Sequence, residues 1–272
     1  GLRDLLTVYL SHRIDVVRRR TVFQLRKAKD RLHLVEGLLI AILDIDEVIQ
    51  VIRSSDDAAV ARALRHTDLE ELADTVDLTA AMSVEALLGT DRVFVPELHL
   101  PLRPHPGQAT SADRMLKILA GSPIVASHKE GDSRVQDAYS LRCAPQVAGG
   151  LRDTLAYVRT VAERELAATV DNPVVLDDGR VSSNGNFHGA PVAYVLDFLA
   201  IVAADVASIA ERRTDRFMDV ARNQGLPPFL AGDAGVDSGL MIAHYTQAAM
   251  VSEAKRNAAP ASVDSIPSSA MQ

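Results

Sequence analysis

The sequence contains one cysteine, Cys143, and no tryptophan among its 272 residues. A single cysteine excludes an internal disulfide and is typical of proteins from reducing compartments. Aromatic residues make up only 4% of the chain, which argues against a platform that stacks nucleic-acid bases. The first residues, Gly1-Leu2-Arg3-Asp4, are not followed by the uninterrupted apolar run of a signal peptide. We therefore expect a cytoplasmic protein.

Short motifs that mark common active sites are also absent. The histidines are scattered, with no His-x-x-x-His pair or Cys/His cluster that would bind a metal ion. The glycines do not have the spacing of a phosphate-binding or dinucleotide-binding loop. No Gly-x-Ser-x-Gly string is present to form a nucleophile elbow. Any active site must therefore be built from other patterns.

Neither of the two most apolar stretches, 35–52 and 192–210, is free of acidic residues. Membrane-spanning helices rarely tolerate such charges. We therefore predict that both stretches are buried helices of a soluble protein without a membrane association. The acids are Asp44, Asp46 and Glu47 in the first stretch and Asp197 and Asp205 in the second.

Charge is distributed unevenly along the chain, whose net charge is −7. Residues 1–33 carry nine Lys/Arg and three Asp, a balance of +6, which leaves −13 on the remainder. Such a basic segment can contact nucleic acid, or it can be the solvated face of a helix. The second interpretation is the more ordinary one, and nucleic-acid binding is the alternative.

Apolar periodicity predicts a mainly α protein. From Ile14 to Ile42, apolar or small residues recur in steps of three and four, which indicates one long helix with a kink near Gly37. Four prolines in residues 94–107 predict a turn-rich segment, and Asp177-Asp178-Gly179 predicts a small hairpin. Residues 127–142 are expected to form a loop with a short helix. Further helices are predicted at 58–64, 67–89, 111–119, 147–169, 192–213 and 238–256, with 192–213 at the centre of a long-helix bundle.

Gln136, Tyr139 and Arg142 are spaced by three, so one helical turn would place them on a single face. An arginine fork can bind a carboxylate through two hydrogen bonds, and a tyrosine hydroxyl beside a cation can serve as an acid or a base. These residues are therefore candidates for a binding or catalytic site. An ordinary surface turn is the alternative.

Two further patterns suggest site residues. The glycine-flanked run 184–189, which contains Phe187, would allow the backbone to approach a ligand, although a plain loop before a helix is the alternative. Glu253 follows an apolar run, and a buried carboxylate needs a partner or a shifted pKa. A structural ion pair with Lys255 or with an arginine elsewhere is the alternative for Glu253.

Six strings that occur in order across residues 64–272 resemble the histidine/phenylalanine ammonia-lyase family. Glu253 is similar to the histidine branch, since the phenylalanine branch typically has glutamine there. Ala254 departs from the family's usual asparagine. The strings are RPHPGQ (103–108), LAGSP (119–123), RVQDAYSLRC (134–143), DNP (171–173), GNFHG (185–189) and PASVDSIP (260–267).

The resemblance implies a helical homotetramer that eliminates ammonia from L-histidine to give urocanate. It implies that Arg142 binds the substrate carboxylate, that Tyr139 and Gln136 line the pocket near the electrophile, and that Phe187 packs over the substrate. Glu253 would orient or deprotonate the imidazole region. The family's electrophile is methylidene-imidazolone, formed from an Ala-Ser-Gly tripeptide that occurs nowhere in these 272 residues. We therefore expect no cofactor and no turnover in this chain alone.

Residues 2–57 resemble a different protein, a helical fragment of the DNA gyrase/topoisomerase IV A subunit. The fragment excludes the catalytic tyrosine region of that subunit, so the resemblance does not imply strand cleavage. We therefore predict two domains, a basic helical extension at 1–63 and a partial lyase domain at 64–272.

Overall fold

The structure, a computed structural model, describes residues 55–264 except residue 133, with side chains from Leu69 onward. The predicted long helix, the basic leader and the topoisomerase-like segment up to residue 54 lie outside the described residues. The chain divides into two compact units, Gly1–Arg65 and His66–Gln272. The elements below belong to the second unit, apart from the start of the first helix.

The described residues form a mainly α fold, as predicted. One two-stranded antiparallel sheet pairs β1 (Val174–Val175) with β2 (Val181–Ser182), which confirms the hairpin. Short 3-10 helices lie at Arg92–Phe94, Pro96–Leu98 and Pro228–Leu230. The α-helices are α1 (Ser55–Ala86), α2 (Pro106–Leu119), α3 (Pro123–Ser127), α4 (Tyr139–Arg142), α5 (Ala144–Leu166), α6 (Ala190–Met218) and α7 (Met241–Asn257).

The bounds of α1 and α2 differ most from the predicted ones. The separate runs at 58–64 and 67–89 are parts of the single helix α1, because no glycine or proline interrupts residues 55–86. Helix α2 begins at Pro106, five residues before the predicted start. Proline is well suited to a first helical turn, where its missing N–H would have no partner within the helix.

Two buried clusters form the core. The first joins the C-terminal half of α1 to α2, with Phe94 and Leu141 among its fully buried side chains. The second joins α1, α5 and α6 through residues such as Ala73 and Leu151. Helices α2 and α5 cross in backbone contact, with the Gly107 N–H donating to Asp153 Oδ1 at 2.7 Å. Helix α4, which carries Tyr139 and Arg142, is thus anchored in the first cluster through Leu141.

Helix α6 contacts α4, α5 and α7, but it is not enclosed as predicted. In its most apolar 18-residue window, 17% of the residues are buried, and Tyr194, Phe198 and Ile201 are exposed. Among the described residues, it is the one helix long and apolar enough to cross a membrane by length and composition. Asp197 within this window accepts backbone N–H groups of Ala261 (3.1 Å) and Ser262 (2.8 Å). The apolar sequence of α6 therefore faces solvent on one side of this chain.

Candidate functional site

The short helix α4 is positioned by a turn that is tied to the end of α1. Asp137 Oδ2 accepts the backbone N–H of Thr90 at 2.7 Å. Arg134 donates to the carbonyls of Leu87 and Leu88, which satisfies acceptors that a helix end leaves without partners. Because Ala138 is extended (φ −60°, ψ 153°), the helix starts at Tyr139. Gln136 therefore lies in the preceding turn, and the predicted helical face holds only two of the three candidate residues.

Gln136 and Arg142 line one cavity of about 330 Å³ between α3 and the turn before α4. Arg142 Nε is buried and has no hydrogen-bond partner among the described residues. A guanidinium with an unused donor suits a bound carboxylate. The other ionisable side chains that line this cavity are Arg92, His128, Lys129, Arg134, Asp132 and Asp137.

Other charged side chains at the rim of this cavity form salt bridges with neighbouring residues. Arg134 forms a salt bridge of 2.7 Å with Asp132. Hydrogen bonds from the Arg134 side chain and backbone lower the pKa of Asp132 to about 2. Lys129 pairs with Asp91 at 3.0 Å. Among these cations Arg142 therefore differs, because its Nε remains without a hydrogen bond.

Tyr139 lies beside this cavity and not within it. Its side chain is 71% exposed, and the Arg142 guanidinium carbon lies 4.6 Å from the centroid of its ring. Tyr139 lines a second cavity of about 450 Å³ together with Cys143 and Arg216. The cation over the ring is a favourable contact. The structure therefore brings Gln136, Tyr139 and Arg142 together, with Arg142 between the other two.

Phe187 is presented by a loop that a hydrogen-bond network holds in place. Asn172 Oδ1 accepts from the Ser183 hydroxyl (3.1 Å) and from the Asn184 N–H (2.9 Å). Asn184 in turn accepts the Asn186 N–H at 2.8 Å. Phe187 is 60% exposed and lines neither of the two cavities. The asparagines of this segment thus fix the loop, while Phe187 points to solvent in this chain.

Glu253 is exposed near the C-terminal end of α7. The expectation of a buried carboxylate is therefore wrong for this chain. Within the described residues, no ion pair between Glu253 and Lys255 is found, so that alternative is not supported either. Neither of the two cavities includes Glu253. The structure thus does not join Glu253 or Phe187 to the other three candidates.

Sequence reasoning missed a buried polar group on α6. Glu211 and Arg213 are 4% and 3% exposed. Glu211 Oε1 lies 2.7 Å from His244 Nε2 on α7, and hydrogen bonds from Arg212 and His244 lower the pKa of Glu211. Burial lowers the pKa of Arg213 to about 10. The charged run 211–213 within an apolar helix was the signal in the sequence.

The described residues contain no group of three or more His, Cys, Asp or Glu that could hold a metal ion. Arg142 and Gln136 can bind a carboxylate and a polar group, and the Tyr139 hydroxyl is accessible to a second molecule.

The sequence model of aromatic amino acid lyases matches residues 22–272. The chain is 72% identical to the histidine ammonia-lyase of Streptomyces avermitilis over 205 residues, which cover 75% of this chain and 40% of that protein. It is 49% identical to the histidine ammonia-lyase of Deinococcus radiodurans over 211 residues, 77% of this chain and 40% of that protein. The chain thus spans about two fifths of the length of these relatives.

The fold of this chain is also similar to solved structures of ammonia-lyases and aminomutases. Histidine ammonia-lyase from Trypanosoma cruzi is similar with a TM-score of 0.66 and 40% identity, over 76% of this chain and 38% of that chain. Tyrosine aminomutase from Streptomyces globisporus is similar with a TM-score of 0.67 and 33% identity, over 75% of this chain and 42% of that chain. The family match begins at residue 22, inside the segment that resembles a topoisomerase subunit. The domain boundary at 63/64 therefore stays a prediction.

Proposed function

Because the chain belongs to the aromatic amino acid lyase family, we propose that it supplies substrate-binding residues of a cytoplasmic histidine ammonia-lyase. In this proposal the complete enzyme eliminates ammonia from L-histidine to give urocanate. The observation that carries the proposal is the 72% identity to a protein named histidine ammonia-lyase. The cavity that Gln136 and Arg142 line also supports the proposal, because it combines an amide and a guanidinium that can bind the polar groups of an amino acid.

Arg142 is the residue we assign to the substrate carboxylate. Its buried Nε lacks a partner among the described residues, and a carboxylate would satisfy it. Gln136 lines the same cavity and offers both a donor and an acceptor. Tyr139, whose ring lies under the Arg142 guanidinium, is assigned a role as acid or base next to the bound amino acid.

Histidine is the proposed substrate because of Glu253, together with the identity to histidine ammonia-lyases. A carboxylate can orient an imidazole by accepting its N–H. Phe187 would cover the ring by apolar contact. Since Glu253 and Phe187 are exposed and separate from the Arg142 cavity in this chain, we propose that they complete a pocket together with residues from other chains or segments.

Methylidene-imidazolone, which this family uses, supplies the electrophile that makes ammonia a leaving group. The 272 residues contain no Ala-Ser-Gly precursor, so none of the steps above is assigned to that group. We expect no urocanate from this chain alone, because positioning residues cannot replace a covalent electrophile. Urocanate release by the purified chain, followed by its ultraviolet absorbance, would contradict this expectation.

A chimera tests whether the segment is competent. The 205-residue matching segment of the Streptomyces avermitilis enzyme is replaced by the corresponding residues of this chain, and urocanate formation is measured. We expect an active chimera, and we expect Arg142→Met to lower its kcat/KM by roughly 30- to 100-fold, since a charged hydrogen bond is lost. Arg159→Met, at a surface pair, is the control. An inactive but folded chimera would contradict the proposal.

A second candidate function is non-catalytic self-association through the exposed face of α6. The observation that favours it is the uncovered apolar surface at Tyr194, Phe198 and Ile201. The two candidates are compatible, because enzymes of this family are expected to be oligomers. Light scattering of the purified chain decides the matter, since a monomer at every concentration contradicts self-association.

A further inference from the structure

Arg213 on α6 is one of the least exposed charged side chains in the described part of the protein. It is 3% exposed, although arginine is almost never fully buried without a partner. Burial lowers its pKa to about 10, because water no longer solvates the charged form. Removing a guanidinium from water is costly. Such a side chain therefore needs a compensating role.

The hydrogen bond that Arg213 makes points to that role. Its Nη1 donates to the carbonyl of Ser140 over 3.4 Å, which joins α6 to α4 across 73 residues of sequence. Ser140 lies between Tyr139 and Arg142 in the four-residue helix α4. Among the described residues, no backbone hydrogen bond from a turn, loop or helix cap ends on this carbonyl. Arg213 therefore supplies a donor to the helix that carries two proposed site residues.

We propose that Arg213 is a positioning residue that holds α4, and with it Tyr139 and Arg142, against α6. A helix of four residues has too few internal hydrogen bonds to be stable alone. The buried side chain of Leu141 anchors one side of α4 in the core. Arg213 adds a second attachment, through the backbone carbonyl of Ser140. The guanidinium thereby sets where the Arg142 side chain enters its cavity.

Cys143 provides a local readout of this role. It is the only cysteine of the chain, and it follows α4 directly. Its N–H donates to the Tyr139 carbonyl at 2.9 Å, and it lines the second cavity next to Tyr139 and Ser140. If α4 loosens, the Cys143 thiol becomes more accessible. The rate at which it reacts with an aromatic disulfide reagent therefore reports the position of α4.

The experiment compares thiol reaction rates in the purified full chain. We expect Arg213→Met to react about tenfold faster than the original chain, because local opening becomes easier when a charged hydrogen bond is lost. Arg213→Lys keeps a positively charged donor without the fork and should fall between the two. Circular dichroism at the same temperature confirms that each variant is folded.

Glu211→Gln is the matched control, since Glu211 is as buried as Arg213 on the same helix but pairs with His244 on α7. It should leave the rate within about twofold, since the Glu211 side chain hydrogen-bonds to Arg212 and His244 and, among the described residues, to none of α4. The proposal is overturned if folded Arg213→Met reacts at the original rate, or if Glu211→Gln accelerates the reaction equally. If Arg213→Met does not fold, the comparison of Arg213→Lys with Glu211→Gln decides in the same way.

The inference rests on the proposed function for the roles of Tyr139 and Arg142. The thiol assay requires no turnover, so the two can fail separately. If the chimera is inactive but the Cys143 thiol of the Arg213→Met variant reacts faster, only the lyase assignment is overturned. An active chimera with an unchanged thiol rate overturns the positioning role alone.

Discussion

Asp77 and Arg152 form a buried ion pair in which Oδ2 and Nη2 lie 2.5 Å apart. The pair joins α1 to α5, and the Asp77 side chain is 0% exposed. Arg152 also contacts Asp74 at 2.7 Å, while Arg114 on α2 reaches Asp74 at 2.9 Å. Three helices therefore meet at one network of two acids and two arginines. Removing Asp77 would leave Arg152 with Asp74, whose side chain is 46% exposed, as its remaining acidic partner.

We expect Asp77→Ala to lower the free energy of unfolding by about 1.5–3 kcal/mol, because the charged hydrogen bond to Arg152 is lost while Arg152 keeps Asp74 as a partner. Asp113→Ala removes an exposed i,i+4 pair with Lys117 and should cost less than about 0.5 kcal/mol. Urea unfolding followed by circular dichroism measures both. Equal losses in the two variants would show that the network does not stabilise the helix junction.

The crossing of α2 and α5 gives a second prediction, at two adjacent glycines. A Cβ at Gly149 would lie 2.3 Å from the backbone N and Cα of Gln108, whereas a Cβ at Gly150 would meet nothing within 4 Å. Gly149→Ala must push the helices apart, and we expect it to cost at least about 1–3 kcal/mol. Gly150→Ala should stabilise the chain by about 0.5–1 kcal/mol through helix propensity.

Thermal unfolding of the two glycine variants checks this prediction. The melting temperature should fall for Gly149→Ala and rise for Gly150→Ala. The two changes are chemically identical and neighbouring, so only the packing at the helix crossing distinguishes them. A rise in both would mean that α2 and α5 do not approach as closely as the structure indicates.

Local sequence patterns predicted where helices form better than they predicted which helix faces are buried. Helical patterning predicted the existence of α5 and α7, and a long apolar run predicted α6, because such local patterns do not depend on what packs against the helix. The same patterns could not show that α6 is open to solvent on one side. Burial of a helix that is apolar on nearly every face depends on which other segments pack against it.

The candidate site shows the same limit. The spacing of Gln136, Tyr139 and Arg142 predicted one helical face. In the structure, Asp137 instead accepts the N–H of Thr90, 47 residues away in sequence, and α4 begins only after it. No local pattern contains that contact. Glu253 was expected to be buried because of its apolar neighbours. Val251 is 7% exposed, but two residues turn a helix by about 200°, which places Glu253 on the solvent side.

The Glu211–His244 pair predicts a dependence of stability on pH. Hydrogen bonds from Arg212 and His244 lower the pKa of Glu211 below its usual value of 4.5. The folded state thus binds the proton less readily than the unfolded state. The stabilisation is fully present above pH 4.5 and is lost as the pH falls through the lower folded pKa.

Melting temperatures of the original chain and of Glu211→Gln, measured from pH 7 down to pH 3, check this prediction. The variant should be less stable at neutral pH, and the difference should shrink as the solution becomes acidic. Glu130→Gln is the control, at an exposed position with no ion pair among the described residues. A Glu211→Gln deficit that stays constant over this pH range would contradict the prediction.

The exposed apolar face of α6 predicts self-association that a single charge weakens. Tyr194, Phe198 and Ile201 follow one another in steps of four and three and are 62%, 45% and 45% exposed. A carboxylate placed among them would lose its hydration in an interface. We therefore expect Phe198→Glu to raise the dissociation constant of the oligomer at least about tenfold, equivalent to about 1.4 kcal/mol.

Sedimentation velocity over a range of concentrations measures the effect. Val181→Glu is the control, because Val181 is 66% exposed on the hairpin strand β2 and lies away from the helix face. It should leave the oligomer unchanged, since it adds the same charge elsewhere. If Phe198→Glu and the original chain sediment alike at every concentration, the α6 face does not form the interface. If Val181→Glu dissociates the oligomer to the same extent, net charge and not the location of the charge governs association.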